Sequence, residues 1–150
     1  MIVRKDEPAV ERESSEAFGT VDTKRYSDAG GITQYGGYVQ TLQPGARSSD
    51  RHWHEEEDEF LYVLSGELTV TENDGEKILR PGDAACWPAG VPNAHHVSNR
   101  SNAPCSYLIV GTRVTHDVCH YPDLGRTLYT EGDVWRIEDA DGQVIKSGRV

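Results

Sequence analysis

Residues 51–60 read Arg-His-Trp-His-Glu-Glu-Glu-Asp-Glu-Phe, and two residue types in that run can do coordination chemistry. His52 and His54 stand two apart. In an extended strand, side chains at i and i+2 point to the same face, so both imidazoles can aim nitrogen donors at one point. Glu59 comes five residues after His54 and opens an apolar run, Phe60-Leu61-Tyr62-Val63-Leu64, with strand character. A carboxylate entering that strand adds an oxygen donor. Two imidazoles and a carboxylate are the start of a divalent-metal site. The preceding acids, Glu55 to Asp58, read as a solvated turn. Glu57 is the fallback ligand if the loop is shorter than this register implies.

The elements that must hold these groups are short strands. Residues 38–42 alternate apolar and polar, and Pro44-Gly45 turns the chain. The run 60–64 ends in the turn Ser65-Gly66. Residues 67–71 alternate cleanly, and Asn73-Asp74-Gly75 carries the signal of a tight hairpin returning along 76–79. Pro81-Gly82-Asp83 precedes a short strand at 84–87, a Pro- and Gly-rich loop follows, and 95–98 and 104–112 are the next strands. This spacing, without an amphipathic helix of three turns, predicts an all-β, antiparallel sandwich or barrel. Residues 1–18 are polar and charged, interrupted by Pro8, and read as an arm. At the other end, 116–129 look irregular, while 134–137 and 144–145, joined through Asp141-Gly142, read as a β-hairpin. A lone hairpin is marginally stable and must pack on the barrel or on another subunit. The expected organisation is one domain over 1–150. Its core barrel spans about 35–113, with an N-terminal arm (1–34) and a C-terminal extension (114–150). Open sheet edges and these spare elements predict a homodimer.

The chain has 150 residues, 36% hydrophobic and 27% charged, as in a soluble globular protein. Its formal net charge of -10 repels phosphate backbones and argues against nucleic acid as a partner. No run approaches the roughly 20 apolar residues of a membrane span. The charged N-terminus lacks the apolar core of a signal peptide, so a cytoplasmic location is expected. Cys86, Cys105 and Cys119 show no Cys-x-x-Cys spacing and read as buried thiols of a reducing compartment.

A second cluster completes the first. Gly82 is followed by Pro88, Gly90, His95 and Asn99. With Gly45, His52, His54, Glu59 and Gly66, this resembles the two motifs of the cupin superfamily, in its small, single-domain bacterial, conserved-barrel form. Glu59 to Gly66 and His95 to Asn99 hold the family spacings. Two departures stand out. Six residues separate Gly45 from His52 where the pattern has five, and Asn93 occupies the usual position of the second-motif histidine. His95 keeps the spacing to Asn99 and is the preferred fourth ligand; His96, on the opposite face of the same strand, is the alternative. The resemblance covers about residues 35–113. It implies a single jelly-roll barrel holding one divalent transition metal (Fe, Mn, Zn or Ni) on His52, His54, Glu59 and His95.

Around that centre, Tyr38 and Gln40 alternate toward the barrel mouth. Arg47 and Arg51 precede the histidine pair and could grip a substrate carboxylate. No general base stands out; Tyr38 and His96 are the candidates. Trp53, Tyr62, Trp87 and Tyr107 read as packing. His116 and His120, with Asp117 and Cys119 nearby, lack the partner pair of a structural zinc site. Four protein ligands leave coordination positions open to a small-molecule ligand. The expected function is that of a metal-dependent enzyme acting on a small polar metabolite, dioxygenase-like or another oxidoreductase. A noncatalytic metal-dependent binding or sensing module and a cupin isomerase or lyase are the alternatives.

Overall fold

Alternation along the chain builds the sheets. In the computed structural model, which describes residues 1–149, the strand Glu59–Ser65 turns Leu61 and Val63 fully inward and leaves Phe60, Tyr62 and Leu64 exposed. Glu59 shares the inward face with Leu61 and Val63, as period-2 geometry requires.

The strands are β1 (Glu11–Ser15), β2 (Gly19–Arg25), β3 (Tyr35–Leu42), β4 (Trp53–His54), β5 (Glu59–Ser65), β6 (Leu68–Glu72) and β7 (Gly75–Leu79). They continue as β8 (Ala84–Trp87), β9 (His96–Ser98), β10 (Cys105–Thr112), β11 (His116–Tyr121), β12 (Arg126–Glu131), β13 (Val134–Glu138) and β14 (Val144–Arg149). A six-stranded sheet runs β1-β2-β3-β10-β5-β8, a five-stranded sheet runs β14-β13-β12-β11-β4, and a three-stranded sheet runs β7-β6-β9. The two smaller sheets are linked by the segment before β4, through bridges between Arg47 and Ser98 and between His52 and His95. All pairings are antiparallel, and the whole is a β-barrel of jelly-roll type. Leu42, Leu61, Val63, Leu68, Val70, Val97, Cys105 and Tyr107 fill it.

Two motif positions earn their place by packing. Asn99 is buried with its whole amide satisfied: Nδ2 donates to the carbonyls of Leu42 and Ala103, and Oδ1 accepts from Ser101. It thereby pins the ends of β3, β9 and β10 together. Gly66 has φ 77°, and a Cβ there would lie 2.7 Å from the Pro104 carbonyl oxygen, so only glycine lets the end of β5 meet the start of β10.

Several expectations need correction. The N-terminal segment is more than an arm: β1 and β2 form a hairpin, and β2 pairs with β3 inside the barrel sheet. Polar strand residues hid it, because β1 is exposed throughout. Residues 116–129 are not irregular. β11 and β12 pair along their full lengths, and β11 also pairs with β4, so the extension beyond residue 113 is a four-stranded addition rather than a hairpin alone. Nor are all three thiols buried. Trp87 faces inward from β8, which turns Cys86 outward, whereas Cys105 and Cys119 are buried.

Candidate metal centre

The segment from His52 to His54, the start of β5, the entry to β9 and the inner face of β11 meet at one end of the barrel. Glu59 Oε2 lies 2.8 Å from His95 Nε2 and 3.9 Å from His52 Nε2. The rings of His52 and His54 are 5.1 Å apart, and so are those of His52 and His95. Potential ligand atoms of His52, Glu59 and His95 all lie within 4.8 Å of one another. A second such group, His52, His54 and Cys119, shares His52 with the first.

Each imidazole is held from outside the cluster. His52 Nδ1 lies 2.9 Å from the carbonyl oxygen of Asp50, His95 Nδ1 lies 3.1 Å from that of Asn93, and His54 Nδ1 lies 2.6 Å from Asp117 Oδ2. Carbonyl and carboxylate oxygens only accept, so Nδ1 carries the hydrogen in all three rings. At 2.8 Å, His95 Nε2 and Glu59 Oε2 need a hydrogen or a metal ion between them, and Nε2 of His52 turns toward the same carboxylate from 3.9 Å. These nitrogens and the carboxylate repel one another unless such a cation stands among them. The donor set therefore fits a divalent metal, and the outer hydrogen bonds orient its ligands. Trp87 stacks flat on His95, centroids 3.8 Å apart, and fixes that ring further. Its indole N–H donates to Glu72, which also accepts from Asn93.

The electrostatics match. Burial would raise the pKa of Glu59, but the hydrogen bond from His95 and the nearby imidazoles outweigh it and hold the carboxyl below its ordinary value. Burial lowers His52, favouring the neutral, ligating form. Burial opposes a charge on His54, yet Asp117 and then Cys119 outweigh it and push its pKa up to about 11. That corner of the cluster thus stabilises positive charge.

Beside these residues lies a cavity of about 120 Å³, lined among others by Tyr38, Gln40, Ser48, Ser49, Trp87 and Tyr107. It is well below the roughly 300–1,000 Å³ of drug-sized sites. Tyr107 donates to Gln40 Oε1 at 2.6 Å, which orients that amide. Burial and the Glu59 charge raise the pKa of Tyr38, which favours its neutral hydroxyl. His96 also touches the cavity, and its Nδ1 is buried with no hydrogen-bond partner among the described residues.

Arg47 and Arg51 do not line this cavity. Arg51 grips both Asp123 oxygens and Asn73, and Arg47 bonds to Asp50 and lies over Phe18. Their side chains tie loops together instead of waiting for a carboxylate. In the acidic run Glu55, Glu56 and Asp58 are exposed, as a solvated turn requires, and Glu55 binds His120 at 2.7 Å; Glu57 alone is half-buried, its Oε2 3.9 Å from His54 Nδ1. His116 and His120 do not join the cluster; His120 stacks on Trp53. Alternation on β11 turns the intervening Asp117 and Cys119 inward, toward His54. Tyr121 shares that alternation, its ring 5.6 Å from His52. Period-2 alternation along β11 was the missed signal, masked by exposed His116 and half-buried His120 on its outer face.

A jelly-roll barrel with a His/Glu cluster at one end defines a class, and comparison with known proteins places the chain within it. The family model for the cupin domain matches residues 38–111. A sugar phosphate isomerase of the cupin superfamily from Silicibacter pomeroyi is 34% identical, with 92% of this chain and 93% of that one covered and a TM-score of 0.83. A structure from Acidithiobacillus ferrooxidans, provisionally named for the same activity, is 28% identical, with 97% and 96% covered and a TM-score of 0.86. A predicted oxalate decarboxylase from Thermotoga maritima is 26% identical, with 76% and 100% covered and a TM-score of 0.64. An oxidoreductase of Arthrobotrys oligospora is 36% identical over 58 residues, which are 39% of this chain and 22% of that protein's length. The chain belongs to the cupin superfamily.

Proposed function

We propose that this chain is a metal-dependent isomerase of a small hydroxy-carbonyl compound, with His52, His54, Glu59 and His95 holding the metal. The observation that carries it is the convergence of three outward-anchored imidazoles and Glu59 beside a small cavity walled by hydroxyl and amide groups. A bound divalent metal supplies Lewis acidity to substrate oxygens. The protein's own residues do the rest. Tyr38, Ser48 and Ser49 offer hydroxyls to substrate oxygens, and Gln40, fixed by Tyr107, orients them. Trp87, Leu61 and Ile109 exclude water. His96, with its unpartnered Nδ1, is the candidate for moving a proton between adjacent carbons. The resemblance to the Silicibacter pomeroyi isomerase supports this reaction class because it covers 92% of this chain, well beyond the share that residues 38–111 of the family match make up. No lysine or arginine lines the cavity among the described residues, which favours an uncharged reacting end.

The second reading is a dioxygenase-like oxidoreductase. It is favoured by a His/Glu donor set suited to Fe(II) and by the 58-residue match to an oxidoreductase. One experiment separates them. The protein, stripped and then reloaded with Fe, Mn, Zn or Ni, is incubated in D₂O with trioses, tetroses and their phosphates. Isomerisation predicts interconversion with deuterium entering the carbon next to the carbonyl, no oxygen uptake, and loss of both when metal is removed. Oxygen consumption with labelled oxygen entering product supports the second reading and sinks the first.

A further inference from the structure

The strand added by the C-terminal extension brings a sulfur to the centre. Cys119 lies on β11, outside the segment that matches the family model, and is only 1% exposed. Its Sγ is 3.8 Å from His54 Nε2, the ring nitrogen that Asp117 does not hold. Asp117 and Cys119 are two apart on one strand, so β11 holds the outer nitrogen of His54 and faces the inner one at the same time. His52, His54 and Cys119 form a group whose ligand atoms lie within 4.8 Å of one another, and His52 is shared with Glu59 and His95.

We propose that Cys119 is a ligand of the metal centre, on its His54 side. The inference rests on the metal-site reading above. Coordination uses the thiolate, and the thiol proton leaves to solvent as metal binds. A thiolate among imidazole donors shifts the preference toward softer ions such as Zn and away from Mn. A buried thiol that merely packs would make no such difference.

The test uses the full chain, stripped of metal and titrated with Co(II). Three forms are compared: the unaltered protein, Cys119→Ser, and Cys86→Ser as a control for the exposed thiol. The unaltered protein and Cys86→Ser are expected to bind one equivalent with a thiolate-to-metal charge-transfer band in the near ultraviolet. Cys119→Ser is expected to lack the band and to bind cobalt at least about tenfold more weakly, the lower end of what loss of an outer-sphere partner alone costs. X-ray absorption on the unaltered, zinc-loaded protein needs no variant and is expected to show one sulfur scatterer at about 2.3 Å. One equivalent bound with no charge-transfer band and no sulfur scatterer overturns the assignment of Cys119 while leaving the imidazole site intact. Failure of the unaltered protein to bind cobalt or zinc overturns both.

Discussion

The residues that define the centre differ in how far their neighbours constrain them. His54 is held most firmly, because the Asp117 carboxylate accepts from its Nδ1 and, through a second oxygen, from the backbone N–H of Glu56. Removing the charge of Asp117 should free the ring to change tautomer and weaken its basicity. Asp117→Asn is expected to lower metal affinity about 10- to 100-fold, as loss of an outer partner does elsewhere, without changing the number of ions bound. Competition with a chromogenic chelator measures this; an unchanged affinity would remove Asp117 from the site. His52, His54 and Glu59 were legible from spacing alone. Their partners were not, since Asp117 is far away in sequence and its neighbours His116 and His120 drew attention to the wrong face of the strand.

At the scale of elements, the position of His95 depends on how β6, β8 and the loop before β9 are clamped. Glu72, at the end of β6, accepts from Trp87 on β8 and from Asn93 in that loop, and pairs with Lys77 on β7. Burial works against its charge, but the Lys77, Trp87 and Asn93 hydrogen bonds outweigh that and hold its pKa below the ordinary 4.5. A depressed carboxyl contributes stability that is complete above its unfolded-state value and is lost as pH falls through the lower folded value. Stability should therefore fall on acidification below about pH 4.5, and Glu72→Gln should flatten that part of the profile. Urea unfolding at a series of pH values checks this; an unaltered acid slope would show that the clamp lies elsewhere. The motif asparagine was recognisable from its interval to His95. The Asn93–Glu72 link explains the longer loop: Asn93 stands where the pattern has a histidine, yet it tethers the loop that presents His95.

For the whole molecule, the six-stranded sheet leaves Phe60, Tyr62 and Leu64 exposed in a row on its outer face. Cys86 pairs with Phe60 across the strands, and a cleft of about 430 Å³ opens there between Tyr35, Phe60, Cys86 and Val110. Exposed apolar faces of this kind mark contact surfaces. We propose that a second copy covers it: like-charged copies repel over most of their surface, and this row carries no charge. Sedimentation is expected to show a dimer at micromolar concentration, and Leu64→Lys to shift it toward monomer. A monomeric unaltered chain would end this proposal. Polarity was a poor guide to the other surface elements. β1 is exposed along its whole length and β14 nearly so, and their strand character comes from pairing with β2 and β13 rather than from burial.

The amino-acid sequence by itself made legible the strands of the barrel core and three members of the candidate metal cluster, because alternation and fixed turns are local properties of the chain. It also carried the resemblance that pointed to His95. Only the tertiary structure decided which groups stand behind those residues. It also decided that Arg47 and Arg51 serve as loop ties, and that β11 delivers Asp117 and Cys119 to His54. The last of these depends on pairing between β4 and β11, residues more than 60 apart in the chain. Long-range strand pairing is set by the closure of the whole barrel and leaves no mark in any short stretch of sequence.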